Sequence, residues 1–172
     1  MIMRIFGLAG WSGSGKTTLM TALIPEFVSR GIAVSTIKHA HHSFDIDKPG
    51  KDSWRHRQAG AREVMVASGQ RWALMHELRG AGEPPLDELL ARMSPVDLVL
   101  VEGFKHHDHP KIEVYRHTLG KPLLHPDDPF VVAIASDQPR AEFSLPWLPL
   151  SDAAAIASFI LDQEAGLDRW HS

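Results

Sequence analysis

At 172 residues, with 44% apolar and 23% charged side chains, the chain has the size and balance of one compact soluble domain that needs no staples. The absence of cysteine excludes disulfides, thiolate metal sites and thiol nucleophiles. A net charge of −3 gives no global attraction to nucleic acid, and no apolar stretch is long enough to span a bilayer. The segment before Leu8 is too short for a secretory signal and runs straight into a glycine loop, so a cytoplasmic protein is expected. The eleven histidines cluster, so positive charge should rise below about pH 6.5.

Arg4 to Leu8 is short and apolar and reads as a buried first strand. Lys16 to Ser29 carries Leu19, Leu23 and Phe27 at helical spacing, with Met20, Ile24 and Val28 beside them. Pro25 removes one helical donor and should kink this helix, and Arg30-Gly31 closes it. Ile32 to Ile37 follows as a β-branched strand. The order strand, helix, strand predicts a right-handed crossover and a parallel pair.

His39 to Ser53 is polar and irregular and reads as a long functional loop. Trp54 to Arg62 has a helical pattern. Glu63 to Ala67 and Arg71 to Leu78 read as a hairpin turning at Ser68-Gly69-Gln70. Gly80 to Pro85 is a linker before a short helix, Leu86 to Met93. Asp97 to Val101 is an apolar strand, Lys111 to Tyr115 alternates charged and apolar residues like an edge strand, and Phe130 to Ala135 is another buried strand. Ser151 to Glu164 is a closing helix opened by a cap-like Ser-Asp, and Asp168 to Ser172 reads as a frayed tail.

The most specific local signal is Gly10-Trp11-Ser12-Gly13-Ser14-Gly15-Lys16-Thr17, which matches G-x-x-x-x-G-K-[ST] between an apolar strand and an amphipathic helix. The glycines allow the backbone N–H groups to converge as an anion nest, to which the helix adds its positive end. Lys16 is long enough for β- and γ-phosphates, and Thr17 is placed to ligate Mg²⁺. Gly10, Ser12, Gly13, Ser14, Gly15, Lys16, Thr17 and Thr18 are therefore the expected nucleotide contacts.

The second acidic element of such a site is Glu102, at the carboxyl end of its strand, with an expected role on Mg²⁺ or on a water; Asp97 lies too far back. Asp45 and Asp47 of the polar loop are within expected reach of the metal, with Asp45 a candidate base. Lys38 and the run Lys51 to Arg57 offer cations for phosphate or another anion. Asp137 ends a late strand, where it either accepts from guanine N1–H and N2–H₂ or simply starts a turn before Pro139; the N-K-x-D guanine signature is absent.

Two histidine clusters, His39 to His42 and His106 to His109, are either a solvated polar rim or a Zn²⁺ or Ni²⁺ site. No spacing matches a closed structural site. His76, His117 and His125 read as strand-face or loop residues.

Together, Gly10 to Thr17, Thr36 to His39 with His42, Phe44-Asp45, Asp52-Ser53, Arg57, Ala59 to Ala61 and Val101 to Lys105 resemble the family of molybdopterin-guanine dinucleotide biosynthesis adapter proteins, MobB. The resemblance covers nearly the whole chain. It implies an α/β P-loop NTPase three-layer fold over residues 1–172, with a mostly parallel sheet and added antiparallel strands. It also implies GTP and Mg²⁺ as ligands, weak GTPase activity and a homodimer, for which the hairpin at residues 63–78 is the candidate element. The implied partner is the guanylyltransferase that attaches GMP to molybdopterin, with molybdopterin or a molybdoenzyme as further partners, and no nucleic acid or membrane. Two other activities remain open from the residues: a nickel or zinc metallochaperone GTPase and a P-loop small-molecule kinase.

Overall fold

The computed structural model describes residues 3–40, 44–105 and 107–163. The tail, the end of the closing helix at Glu164, His41, His42, Ser43 and His106 lie outside the described residues. The chain divides into two compact units, one formed by the segments up to His39 and from Met93 onward, the other by Ala40–Arg92.

The first unit is built on a six-stranded sheet of order β2-β5-β1-β6-β7-β8, in which every pairing is parallel. Its strands are β1 (Arg4–Ala9), β2 (Val34–Lys38), β5 (Leu98–Glu102), β6 (Lys111–Tyr115), β7 (Val131–Ser136) and β8 (Trp147–Pro149). The predicted parallel relation of the first two strands holds, but they are not neighbours: β5 inserts between them. β5 is apolar throughout before Glu102 and buried along its length, as a central strand covered on both faces must be.

Lys111 to Tyr115 is not the edge strand that its charge alternation predicts. It lies between β1 and β7 and is buried at every residue. The fold satisfies its charges internally. Lys111 donates to the carbonyls of Lys105 and His107 at 2.9 and 2.8 Å and to Asp128 at 3.0 Å. Glu113 accepts from the backbone N–H groups of Leu124 and Leu124's neighbour His125 at 2.8 and 3.0 Å. Burial of an ion is tolerated when pairing and hydrogen bonds are this complete. The true outer strand on that side is β8, a three-residue element that propensity alone does not reveal.

Helix α1 (Lys16–Ser29) has the predicted limits, contains Pro25, and buries Leu19, Met20, Leu23 and Phe27. It stops where Arg30 and Gly31, the latter at φ 77°, return their N–H groups to Phe27 and Val28. Helix α4 (Ala153–Asp162) starts on Asp152, whose carboxylate accepts from Ala155 N–H at 2.9 Å. α1 and α4 pack on one another, and Leu23, Phe27, Ile156 and Ile160 join Phe6, Leu100 and Ile112 in one core. Each such fully buried side chain stabilises by about 1.5–3 kcal/mol.

The second unit holds α2 (Asp52–Gln58), α3 (Leu86–Leu90) and the antiparallel ribbon of β3 (Glu63–Ala67) and β4 (Trp72–His76). The hairpin is as predicted, with Ser68 N–H bonded to Arg71 O across the turn. Both helices are shorter than their apolar patterns suggest.

Candidate nucleotide site

Four parallel strands, β5, β1, β6 and β7, bring their carboxyl ends to one edge of the sheet, the usual place for a ligand in an open α/β fold. The loop after β1 occupies that edge. Gly10 has φ 145°, and a Cβ there would meet the carbonyl of Val114 and the Ser14 hydroxyl, so the loop can lie flat on β6 only with glycine. Gly15, at φ 100°, caps α1 in a left-handed conformation and returns its carbonyl to Leu19 N–H at 2.9 Å. Ser14 N–H is bonded to Trp11 O at 3.1 Å. Ser14 is buried, while Ser12, Thr17 and Thr18 are exposed.

Lys16 lies across this loop, donating to the carbonyls of Gly10 and Trp11, both at 2.9 Å. Desolvation is the main cause that holds its ammonium below the ordinary lysine range; Glu102 opposes the shift, and Lys105 and Lys38 add to it. A polyanion would relieve that penalty.

Thr17 donates its hydroxyl to Glu102 Oε1 at 2.8 Å, joining the start of α1 to the end of β5. Lys38, at the end of β2, reaches both partners: its Nζ is 3.4 Å from Thr17 Oγ1 and 3.4 Å from Glu102 Oε1. A hydroxyl and a carboxylate, both hard oxygen donors with a cation already drawn to them, fit Mg²⁺. Glu102 therefore stands where the sequence places it. His39 N–H continues the edge by donating to Glu102 O at 2.8 Å, and its ring lies 4.8 Å from that of Phe104.

Asp137 leaves β7 at the same edge and is exposed. Its turn is pinned from behind, since Ser136 donates to Gln138 O at 2.5 Å and accepts from Trp147 Nε1 at 3.0 Å.

The polar-loop acids sit in the other unit and have partners there. Both oxygens of Asp45 accept from Arg57 Nη2 at 2.9 Å. That hydrogen bond to Arg57 is the main reason its carboxyl lies below the usual carboxylate range, a state that weakens it as a base. Asp47 accepts from Arg57 Nε at 3.3 Å and Ser53 Oγ at 2.9 Å, and Glu77 takes Arg57 Nη1 at 3.0 Å. Arg57, expected as a cation for an external anion, is instead the tie that orders Asp45, Asp47 and Glu77.

Among the described residues, no group of three or more His, Asp or Glu side chains is arranged to hold a metal ion. His107 and His109 touch through their Nδ1 atoms at 3.0 Å. His109 is wholly buried, and desolvation is the chief cause that lowers its pKa to about 3. His76 pairs with Glu63 at 2.6 Å, His117 opens a 3₁₀ turn (His117–Leu119), and His125 lies beside Glu113.

Residues that sequence reasoning passed over also meet here. Arg116, the residue after β6, donates from Nε to Ser14 O at 3.1 Å. Trp11 Nε1 donates to Pro122 O at 2.8 Å, with Lys105 Nζ 4.8 Å and Lys121 Nζ 5.6 Å from its ring centre. Only the position of Arg116 after a β-rich run hinted at such a role.

No helix among the described residues is long and apolar enough to cross a membrane. The chain is 45% identical over 94% of its length to the Molybdopterin-guanine dinucleotide biosynthesis adapter protein of Escherichia coli (strain K12), of which it covers 93%. It is 44% identical over 91% of its length to the protein of the same name from Haemophilus influenzae, covering 86% of that relative. A crystal structure described as molybdopterin-guanine biosynthesis protein B (mobB) superposes with a TM-score of 0.72 at 30% identity, covering 91% of this chain and 96% of that one. The family described as MobB, Molybdopterin guanine dinucleotide synthesis protein B, matches residues 5–137, and the chain belongs to that family.

Proposed function

We propose that the chain is a GTP-binding adapter in molybdopterin guanine dinucleotide biosynthesis, acting in the cytoplasm on the guanylyltransferase that attaches GMP to molybdopterin. The observation that carries the nucleotide reading is the Thr17–Glu102 hydrogen bond at 2.8 Å beside the Gly10–Thr17 loop. It joins a phosphate nest to an acidic strand end in the way a magnesium–triphosphate requires. Thr17 and Glu102 would hold Mg²⁺, which would supply neutralisation of the phosphate charge. Lys16 and the loop N–H groups bind the phosphates. Asp137 accepts from the guanine edge, and Glu102 orients water near the metal.

Hydrolysis is expected to be slow, since neither Asp45, already bound by Arg57, nor any glutamine at the loop serves as a base. Binding, rather than turnover, is then the useful state, and molybdopterin or a molybdoenzyme is a further partner. A homodimer is supported by the ribbon of β3 and β4. Met65 and its cross-strand partner Leu74 are 61% and 45% exposed, and Trp72, paired with Ala67, is 65% exposed. A two-stranded ribbon with such an apolar face is marginal unless covered.

Titration of the full chain with GTP and ATP, with and without Mg²⁺, tests the nucleotide reading; equal affinity for ATP overturns the guanine assignment. Pull-down of the guanylyltransferase with and without GTP tests the adapter role, and no association in either state overturns it.

A further inference from the structure

Arg116 lies between the two halves of the proposed nucleotide site. β6 pairs with β1 on one side and β7 on the other. The last register pair between β6 and β7 is Tyr115 with Ser136, so Arg116 and Asp137 are the next residues on adjacent strands at the ligand edge. Arg116 keeps an extended backbone, φ −130° and ψ 118°, and so continues the line of its strand.

Its side chain then turns toward the phosphate loop. Nε donates to Ser14 O at 3.1 Å, and Nη2 and Nε approach within 3.4 and 3.5 Å of the place where a Cβ on Gly15 would stand. The guanidinium is therefore seated on the loop by one of its five donors. Neither Nη group has a hydrogen-bond or ion-pair partner among the described residues. A part-buried arginine anchored by Nε, with four unused donors at a ligand edge, is arranged for a planar acceptor pair.

We propose that Arg116 reads the guanine base beside Asp137, donating its Nη groups to O6 and N7, and so sets the preference for guanine over adenine. This rests on the guanine-nucleotide reading above. The chemistry is discriminating. Guanine presents two acceptors, O6 and N7, which a guanidinium fork matches, whereas adenine places an N6–H₂ donor where O6 would be. Asp137 takes the neighbouring N1–H and N2–H₂ donors. The pair then supplies what the absent N-K-x-D signature would otherwise provide, from two adjacent strand ends instead of one loop.

The test is calorimetric titration of the full-length wild type, Arg116→Gln and Arg116→Lys with Mg²⁺ and GTP, ITP, ATP or inorganic tripolyphosphate. ITP keeps O6 and N7 but lacks the N2 amine. Arg116→Gln is expected to weaken GTP and ITP roughly 5- to 100-fold, with ATP and tripolyphosphate unchanged within about twofold. Arg116→Lys, which keeps charge but not the fork, is expected to stay impaired. Equal losses for tripolyphosphate and GTP overturn the proposal, because Arg116 then only braces the loop. A guanine preference that survives Arg116→Gln overturns it while leaving guanine binding intact. If the wild type itself does not prefer GTP to ATP, the underlying guanine reading fails instead.

Discussion

Thr17 and Glu102, 85 residues apart in the chain, share a hydrogen bond of 2.8 Å at the mouth of the phosphate loop. Glu102→Gln can still accept from Thr17, so the loop should keep its shape while losing the charge that draws a metal. GTP affinity without Mg²⁺ is expected to change little, and the gain from adding Mg²⁺ to fall by about tenfold or more. Titrations at fixed GTP with varied Mg²⁺ would show it; an unchanged Mg²⁺ increment would remove Glu102 from the metal site.

Lys16→Ala removes a cation held 2.9 Å from two loop carbonyls. The expected outcome is roughly a 10- to 100-fold loss of affinity for GTP and for inorganic tripolyphosphate alike, since the proposed contact of Lys16 is to the phosphates and not to the base. A loss confined to GTP would contradict the assignment.

The fold tolerates Lys111 only because its ammonium has three partners, Lys105 O, His107 O and Asp128. Lys111→Met strips the part-buried Asp128 carboxylate of its counter-charge, leaving it with the Phe130 N–H, and removes a donor from the carbonyls of Lys105 and His107. Destabilisation of about 3–5 kcal/mol is expected in urea unfolding. Lys111→Met within 1 kcal/mol of wild type would mean that the β6 charges are dispensable.

His109 provides a pH-dependent counterpart. Its folded pKa is lowered to about 3 from the ordinary 6.5, mainly by desolvation and then by Lys111 and His107. Below pH 6.5 the unfolded chain takes up this proton before the folded one does. Stability is therefore full above pH 6.5 and declines as pH falls toward 3. A ring at this site packs where a Cβ on Gly7 would stand, so His109→Leu fills similar space without titrating. The difference in unfolding free energy between wild type and His109→Leu should shift toward the variant as pH drops through that window; a difference independent of pH would show that His109 does not titrate on unfolding.

Asp137→Asn exchanges an acceptor for a mixed donor–acceptor at the exposed end of β7. Relative affinity should move from GTP toward XTP, whose C2 carries an oxygen in place of the amine. Competition between the two nucleotides reads the change directly, and an unaltered ratio would mean that Asp137 only begins a turn.

Local patterns carried the glycine loop between β1 and α1, α1 to its exact limits and the hairpin, because each depends on residues close in sequence: glycines at fixed offsets, a 3.6-residue apolar repeat, a turn between two β-rich runs. Failure came where distant segments decide. Lys111 and Glu113 read as surface charges because their partners, Asp128 for the first and the Leu124 and His125 amides for the second, arrive from a later loop. Asp45 and Arg57 both read as groups open to a ligand, and each is used on the other. The place of β2 beside β5 rather than β1 follows from a pairing that no local run encodes. Arg116 escaped notice for the same reason, since its meaning lies in the carbonyl of Ser14.

The step from β2 to its neighbour β5 has a consequence for how this architecture varies. Two adjacent parallel strands must be joined by a crossover of at least about a dozen residues. Here the whole second unit, Ala40–Arg92, fills that one connection. Closure entropy grows only with the logarithm of a connection's length, so enlarging or trimming this excursion costs the sheet little. The phosphate loop, Glu102, Arg116 and Asp137 all belong to the other unit. The chain thus separates the part that carries the proposed nucleotide site from a part whose length and surface are free to be rewritten for whatever the protein must grip.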